Sequence, residues 1–73
     1  MRYNITHKIT IFAEEDTDFD LFEQESFRIG GDLGLEIGYT GATPTSLPTV
    51  TAEGESVESL KLLYRRLMAF FYG

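Results

Sequence analysis

The chain contains no cysteine and one histidine among its 73 residues. Without cysteine it can form neither a disulfide bond nor a thiolate metal site, and a single histidine excludes histidine-rich metal centres. We therefore predict no metal and no cofactor. A chain of this length makes one domain, spanning residues 1–73, and such a domain buries only about 60% of its unfolded surface. Its stability must come from a small core without covalent support.

Long apolar segments are also absent from the sequence. The N-terminal stretch Met1–Lys8 lacks the apolar run of a secretory signal. No other stretch approaches the roughly 20 apolar residues of a membrane-spanning helix. We expect a soluble, cytoplasmic protein without membrane contacts.

Basic residues are scarce, with 6 Lys and Arg against 12 Asp and Glu, and the formal net charge is -6. This composition argues against nucleic acid as the direct ligand, because affinity for phosphates comes largely from Lys and Arg. Most of the acids fall between Ala13 and Glu36, where Arg28 is the one base. These acids are Glu14, Glu15, Asp16, Asp18, Asp20, Glu23, Glu25, Asp32 and Glu36.

Apolar residues interrupt this acidic stretch, which distinguishes it from a disordered charged tail. Phe19, Leu21, Phe22 and Phe27 are interleaved with the carboxylates. Thr17 could cap a short helix here, although a strand is equally compatible with the pattern. The run from Asp16 to Asp20 partly matches a calcium-binding loop, but Leu21 and Phe27 occupy positions where that loop needs Gly and Glu. We predict an ordered acidic surface without calcium.

Alternating residues from Tyr3 to Phe12 predict a first strand, with Ile9 and Ile11 on its apolar face. His7 falls on that same face, where an imidazole of the core or its rim is favoured over a catalytic one. A second alternation predicts a hairpin that turns at Gly30-Gly31-Asp32. Its buried face would hold Phe27, Ile29, Leu33, Leu35, Ile37 and Tyr39, and Gly34 and Gly38 would leave a flat patch edged by Arg28 and Glu36 on the other face.

Residues 40–54 are small, rich in hydroxyl groups and stiffened by Pro44 and Pro48, which predicts a long connection. Such a loop is either a linker or a segment that closes over a partner. After it, Ser56 predicts the N-cap of a C-terminal helix. A broad apolar stripe on this helix should cover the sheet, and it comprises Val57, Leu60, Leu63, Tyr64, Leu67, Met68 and Phe71.

Apolar residues outside that stripe provide a candidate contact between copies. Leu62, Phe70 and Tyr72 extend the apolar area of the C-terminal helix and predict a possible homodimer. The alternative is ordinary exposure of apolar atoms on a small protein.

The predicted fold is α+β, a small two-layer sandwich in which the C-terminal helix packs on an antiparallel sheet of three or four strands. No nucleophile with an oriented base stands out, so we expect no enzymatic activity; a hydrolase using His7 with a nearby acid is the enzymatic alternative. The leading hypothesis is a non-enzymatic inhibitor or regulator whose carboxylates stand in for DNA phosphates on a Lys/Arg-rich partner protein. Its predicted contacts are Glu14, Glu15, Asp16, Asp18, Phe19, Asp20, Phe22, Glu23 and Glu25.

In size and charge, the chain is similar to small phage-encoded inhibitors of host enzymes or defence systems. A homo-oligomeric structural or assembly subunit is the alternative hypothesis. The two differ in salt dependence, because a contact made by apolar side chains survives high salt and an ionic one weakens.

Overall fold

The computed structural model describes residues 5–73 and shows a small α+β fold with one antiparallel sheet and two helices. The elements follow in the order β1 (His7–Phe12), α1 (Phe19–Asp32), β2 (Glu36–Thr40), β3 (Thr49–Gly54) and α2 (Val57–Tyr72). The spatial order of the strands is β1-β3-β2. Because β3 is antiparallel to both neighbours, β1 and β2 run parallel to each other on either side of it. The predicted α+β class and C-terminal helix are confirmed.

Strand β1 keeps the predicted alternation but is shorter than predicted. It begins at His7, and residues 5 and 6 precede it outside regular structure. Tyr3 and Asn4, also assigned to this strand, lie outside the described residues. Ile11 is buried and Ile9 half-buried, whereas Lys8, Thr10 and Phe12 are exposed. His7 is exposed too, which places its imidazole at the rim of the fold.

The predicted hairpin around Gly30-Gly31-Asp32 is wrong, because this segment lies inside helix α1. Phe22, Ser26 and Ile29 are buried on one side of the helix, and Leu33 packs against the same core. Their spacing is that of a helical stripe. Phe27, predicted to be buried, falls outside the stripe and is 45% exposed.

The end of α1 explains the neighbouring glycines. Gly34 has a φ of 73°, a left-handed conformation that glycine adopts without steric cost. The Leu35 N–H donates to the Gly30 carbonyl at 2.9 Å, and the Gly34 N–H donates to the Gly31 carbonyl at 3.1 Å. These two bonds form a Schellman motif that closes the helix. The chain then enters β2, with Glu36, Gly38 and Thr40 exposed.

The prediction of a connection over residues 40–54 is wrong in its second part, because Thr49–Gly54 forms the central strand β3. Val50 and Ala52 have no exposed surface. Ile9 and Ile37 both pair with Ala52, and Ile11 and Tyr39 both pair with Val50. The small residues of β3 thus lie between larger residues on both neighbours.

Helix α2 begins and packs largely as predicted. The Ser56 hydroxyl accepts a hydrogen bond from the Ser59 N–H at 3.3 Å, which satisfies one otherwise free donor of the first turn. Leu60, Leu63 and Leu67 are buried. Met68 and Phe71 are half-buried against the same core. Val57 and Tyr64, predicted in the buried stripe, are instead 41% and 50% exposed.

Both helices contribute to the same core. α1 contacts β2 and β3, and α2 contacts β1 and β3. The inner sheet residues Ile11, Val50 and Ala52 are buried. On the outer face, Lys8, Thr10 and Gly38 are exposed, so residues 5–73 cover the inner face of the sheet and leave the outer face open.

Candidate protein-binding surface

Acidic residues gather where β1 leads into α1. Glu14 and Glu15 follow β1, and the Thr17 N–H donates to the Glu14 carbonyl at 3.1 Å to close a turn. This turn lies at the end of the sheet that also carries the β2–β3 loop and the last residues of α2, as the strand directions require. We call the exposed carboxylates at this place the acidic end, and they are Glu14, Glu15, Asp16, Asp18 and Asp20.

Two carboxylates of the acidic end also stabilise the helix. Asp18, rather than the predicted Thr17, is the N-cap of α1, and its side chain accepts a hydrogen bond from the Leu21 N–H at 3.1 Å. Asp20 lies in the first turn, where the helix dipole favours negative charge. The Thr17 hydroxyl instead bonds to the Tyr72 hydroxyl at 2.9 Å. Glu14, Glu15 and Asp16 have no such structural role for their side chains among the described residues.

Glu25 is engaged within the helix. Arg28 donates to both of its carboxylate oxygens, with an Nη2–Oε1 distance of 2.6 Å, and the Glu25 side chain is 13% exposed. Hydrogen bonds from Arg28, supported by its positive charge, lower the pKa of Glu25. Arg28 is also 4.0 Å from Asp32. This single base therefore neutralises acids of α1 well away from the acidic end.

Glu23 lies on the flank of α1 that faces β2. It is half-buried, and its charge acts on Tyr39. Burial raises the pKa of the Tyr39 phenol, and the nearby negative charges of Glu23 and Asp20 raise it further. Glu23 thus belongs to the side of the molecule beside β2, and Asp20 connects this side to the acidic end.

The predicted aromatic contacts are placed differently from expectation. Phe22 is 1% exposed and belongs to the core, with its ring 6.0 Å from that of Phe71. A side chain in this position cannot insert into a partner. Phe19 is half-buried against the same core. Neither predicted ring is therefore a prominent surface feature.

Phe12 is an aromatic side chain exposed beside the acids, and sequence reasoning missed it. It is 63% exposed at the end of β1, on the outer face of the sheet. The signal was present, because Phe12 falls on the polar side of the β1 alternation with Lys8 and Thr10. An exposed phenylalanine next to Glu14 and Glu15 provides the apolar contact that a purely ionic surface lacks.

A cleft of about 610 Å³ joins Phe12 to the acidic end and to the β2–β3 loop. Glu15 and residues 43–47 complete its lining. The loop tip is ordered by bonds between Thr43 and Ser46, whose hydroxyl oxygens are 2.7 Å apart and whose backbones bond in both directions. Pro44 is the second residue of this four-residue turn, where the fixed φ of proline is favourable. The hydrogen-bonded loop lines the cleft opposite Phe12.

The residues predicted for a contact between copies do not share one face of α2. Leu62, Phe70 and Tyr72 are 37%, 48% and 51% exposed. At 3.6 residues per turn, they are spread over an arc of about 160°. The Phe70 ring packs edge-on against Phe71 at 5.0 Å. Tyr72 is tied to Thr17 near the acidic end.

His7 and the acidic end lie at opposite ends of β1. A six-residue strand separates them by roughly 17–20 Å, so His7 is not paired with these acids. Within residues 5–73, no three His, Asp or Glu side chains come together as candidate metal ligands. In the same range, neither helix is long and apolar enough to cross a membrane.

Comparisons with protein-family models, curated proteins and solved structures find no match to this chain.

Proposed function

We propose that the chain is a non-enzymatic inhibitor or regulator that covers a Lys/Arg-rich, nucleic-acid-binding surface of a partner protein. The acidic end and the Phe12 cleft are the contact surface. Carboxylates there take the place of DNA phosphates, as in the inhibitors that phages direct against host enzymes and defence systems. The two-layer sandwich that we propose for the fold holds this surface at one end of the sheet.

The proposal rests on the exposed Phe12 ring beside exposed acids that no base within residues 5–73 neutralises at short range. The ion pairs of the described residues involve Arg28 and Lys61, and neither base pairs with Glu14, Glu15 or Asp16. Uncompensated acids speed association with a basic protein, whereas a desolvated aromatic side chain slows dissociation. Phe12 and the acids together fit a protein partner better than either feature alone.

The test is capture of a cytoplasmic partner with a photo-crosslinker placed at position 15, followed by competition with duplex DNA. We expect the captured protein to be released by the DNA, and its association rate to fall at least about tenfold between about 50 and 500 mM salt. The variant with Glu14→Gln, Glu15→Gln and Asp16→Asn should lose most of this fast association. It leaves the Asp18 cap intact.

The matched control neutralises the same number of carboxylates at the other end of the sheet, through Asp32→Asn, Glu36→Gln and Glu55→Gln. Equal losses in the two variants would mean that net charge alone drives association. A partner that stays bound in the presence of DNA, or associates at a rate indifferent to salt, would refute DNA mimicry.

A homo-oligomeric assembly subunit is the second candidate, favoured by the exposed Leu62 and Phe70 side chains. Light scattering at high micromolar concentration distinguishes it from the first. A dimer mass that persists in high salt and is lost in Leu62→Ser would support assembly through α2. A monomer mass under these conditions would remove this candidate.

A further inference from the structure

The two helices require more width than the three strands beneath them. Strands lie about 4.8 Å apart, so three of them occupy about 14 Å, whereas two packed helices occupy about 20 Å. α1 lies over β2 and β3, and α2 lies over β3 and β1. The inner surface of α2 therefore extends past β1, which is an edge strand of the described sheet.

A groove of about 580 Å³ lies between this edge and α2. Ile9 and Ile11 of β1 and Val57, Leu60 and Tyr64 of α2 give it an apolar wall. Val57 and Tyr64 are the residues of the predicted buried stripe that remain exposed. A further strand in the space under α2 would cover both of these side chains.

The outer edge of β1 presents to this groove backbone groups that pair with no other strand of the described residues. The Ala13 N–H donates to the Pro48 carbonyl at 2.9 Å, so Ala13 points its backbone groups toward β3. In an antiparallel pair, the residues that face the partner strand alternate. Ile11, Ile9 and His7 therefore face β3 as well, and the N–H and C=O groups of Lys8, Thr10 and Phe12 point outward.

The charge at the groove is opposite to the charge of the whole protein. Lys8, Lys61 and Arg65 line it, and no carboxylate among the described residues does. Glu53, the cross-strand partner of Lys8, lines the neighbouring outer face of the sheet. Glu58 lies 3.7 Å from Lys61, but both side chains are well exposed, and such a pair is easily exchanged for another carboxylate. The groove thus matches an occupant with negative charge.

We propose that the β1–α2 groove binds an extended, acidic segment of a partner protein, which adds to the sheet as a fourth strand beside β1. Backbone hydrogen bonds to Lys8, Thr10 and Phe12 hold the segment. Its inward apolar side chains pack against Val57, Leu60 and Tyr64. Its carboxylates lie on the outer face of the sheet beside Lys8, and Lys61 and Arg65 of α2 attract them at longer range. The groove shares Phe12 with the contact surface proposed above, but it uses the backbone of Phe12 and not its side chain. The proposal does not depend on the function proposed above.

A second copy of this chain fits the groove less well. Pairing β1 with β1 of another copy would bring two α2 helices side by side. Each helix already extends past its own β1, so the two helices would compete for the same space. It would also place Lys61 and Arg65 of both copies close to each other, and like charges repel at this range. A single strand from a partner brings neither conflict.

The probe is a blocked peptide of alternating Glu and Val, about eight residues long. The control peptide alternates Lys and Val, which keeps the strand pattern and reverses the charge. Amide NMR with the whole chain should show shifts at the β1 edge and along α2 for the first peptide only. The amides of Lys8, Thr10 and Phe12 should become protected from hydrogen exchange in the complex.

A matched pair of variants tests the backbone contact. Thr10→Pro removes an outward N–H without removing a bond to β3, and edge strands tolerate proline; Thr10→Val keeps the N–H. We expect Thr10→Pro to weaken peptide binding by about tenfold or more, and Thr10→Val to stay within about twofold. Equal binding by the two variants would overturn the proposal.

A double charge reversal, Lys61→Glu with Arg65→Glu, provides a test on exposed residues if Thr10→Pro fails to fold. It should abolish the preference for the Glu-Val peptide and favour the Lys-Val peptide. Unchanged preference would overturn the proposal, as would shifts confined to β2. If the β1 amides become protected as the concentration of peptide-free protein rises, the occupant is a second copy and the proposed partner is wrong.

Discussion

Gly30 of α1 packs directly against the Ile37 side chain of β2, so closely that a β-carbon at position 30 would overlap Ile37 Cγ1 and Cδ1. The missing side chain allows helix and strand to approach each other. Gly31, the next residue, is exposed and would place a β-carbon in open space. Neighbouring glycines therefore have different physical roles.

We expect the same substitution at these glycines to change stability in opposite directions. Gly31→Ala should raise the free energy of unfolding by about 0.5–1 kcal/mol through higher helix propensity. Gly30→Ala should lower it, because overpacking costs about 1–3 kcal/mol and outweighs that gain. Urea denaturation of both variants measures the difference. Destabilisation by Gly31→Ala would contradict the helix at this position and support the predicted hairpin turn at Gly30-Gly31-Asp32.

The sequence contained the α1 stripe, but a competing pattern hid it. Phe22, Ser26, Ile29 and Leu33 recur at helical spacing, yet the polar Ser26 breaks the apolar signal. Its hydroxyl is buried and donates to the Phe22 carbonyl at 2.7 Å. Meanwhile the residues from Phe27 to Ile37 also alternate, and glycine at positions 30 and 31 lowers helix propensity. The decisive contact, Gly30 against Ile37, is tertiary and was not available to local reasoning.

β3 was missed for a related reason. Its buried side chains are Val50 and the small Ala52, so its apolar face is too short to give a clear alternation, although Thr49 and Thr51 are β-branched residues that favour strands. The acidic end was predictable because it follows from composition alone. The engagement of Glu23 near Tyr39 was not predictable, because it depends on how α1 lies over the sheet.

The packing of α2 predicts a large difference between leucines on its two sides. Leu67 is fully buried and Leu62 is 37% exposed. Leu67→Ala should destabilise the fold by about 2–5 kcal/mol through lost burial and a cavity, a large share of a small domain's stability. Leu62→Ala should cost much less. Thermal unfolding of the two variants provides the comparison, and equal melting temperatures would contradict this packing.

The Arg28–Glu25 pair predicts a pH effect on the acid side. Because hydrogen bonds from Arg28 lower the pKa of Glu25 in the folded state, its contribution to stability is present above the unfolded pKa. It is lost as the pH falls through the lowered pKa of the folded state. Carboxyl NMR titration should show the Glu25 pKa rising in Arg28→Gln. The control Arg66→Gln, on α2, should leave this pKa where it is.

Tyr39 predicts a pH effect on the basic side. Burial, then Glu23 and Asp20, raise its pKa, so its contribution to stability is present below the unfolded value of about 10 and is lost as the pH rises through the higher folded value. Glu23→Gln should lower the pKa of Tyr39, which NMR of the labelled tyrosine ring measures. Glu55→Gln, far from Tyr39 in the fold, is the control. An unchanged Tyr39 pKa in Glu23→Gln would contradict the placement of Glu23 near Tyr39, on the side of the molecule beside β2.

The last prediction concerns Phe12 and compares it with Phe27, since both are exposed phenylalanines. Phe12 is 63% exposed next to the acidic end, and Phe27 is 45% exposed on α1. If the acidic end and the Phe12 cleft form the contact with a basic partner, Phe12→Ala should weaken binding by about 2 kcal/mol or more, mainly through faster dissociation. Phe27→Ala should change affinity little. Surface plasmon resonance with the captured partner separates the two rates. Greater loss with Phe27→Ala would move the contact to the flank of α1 beside β2, where Glu23 and Asp20 would supply the charge.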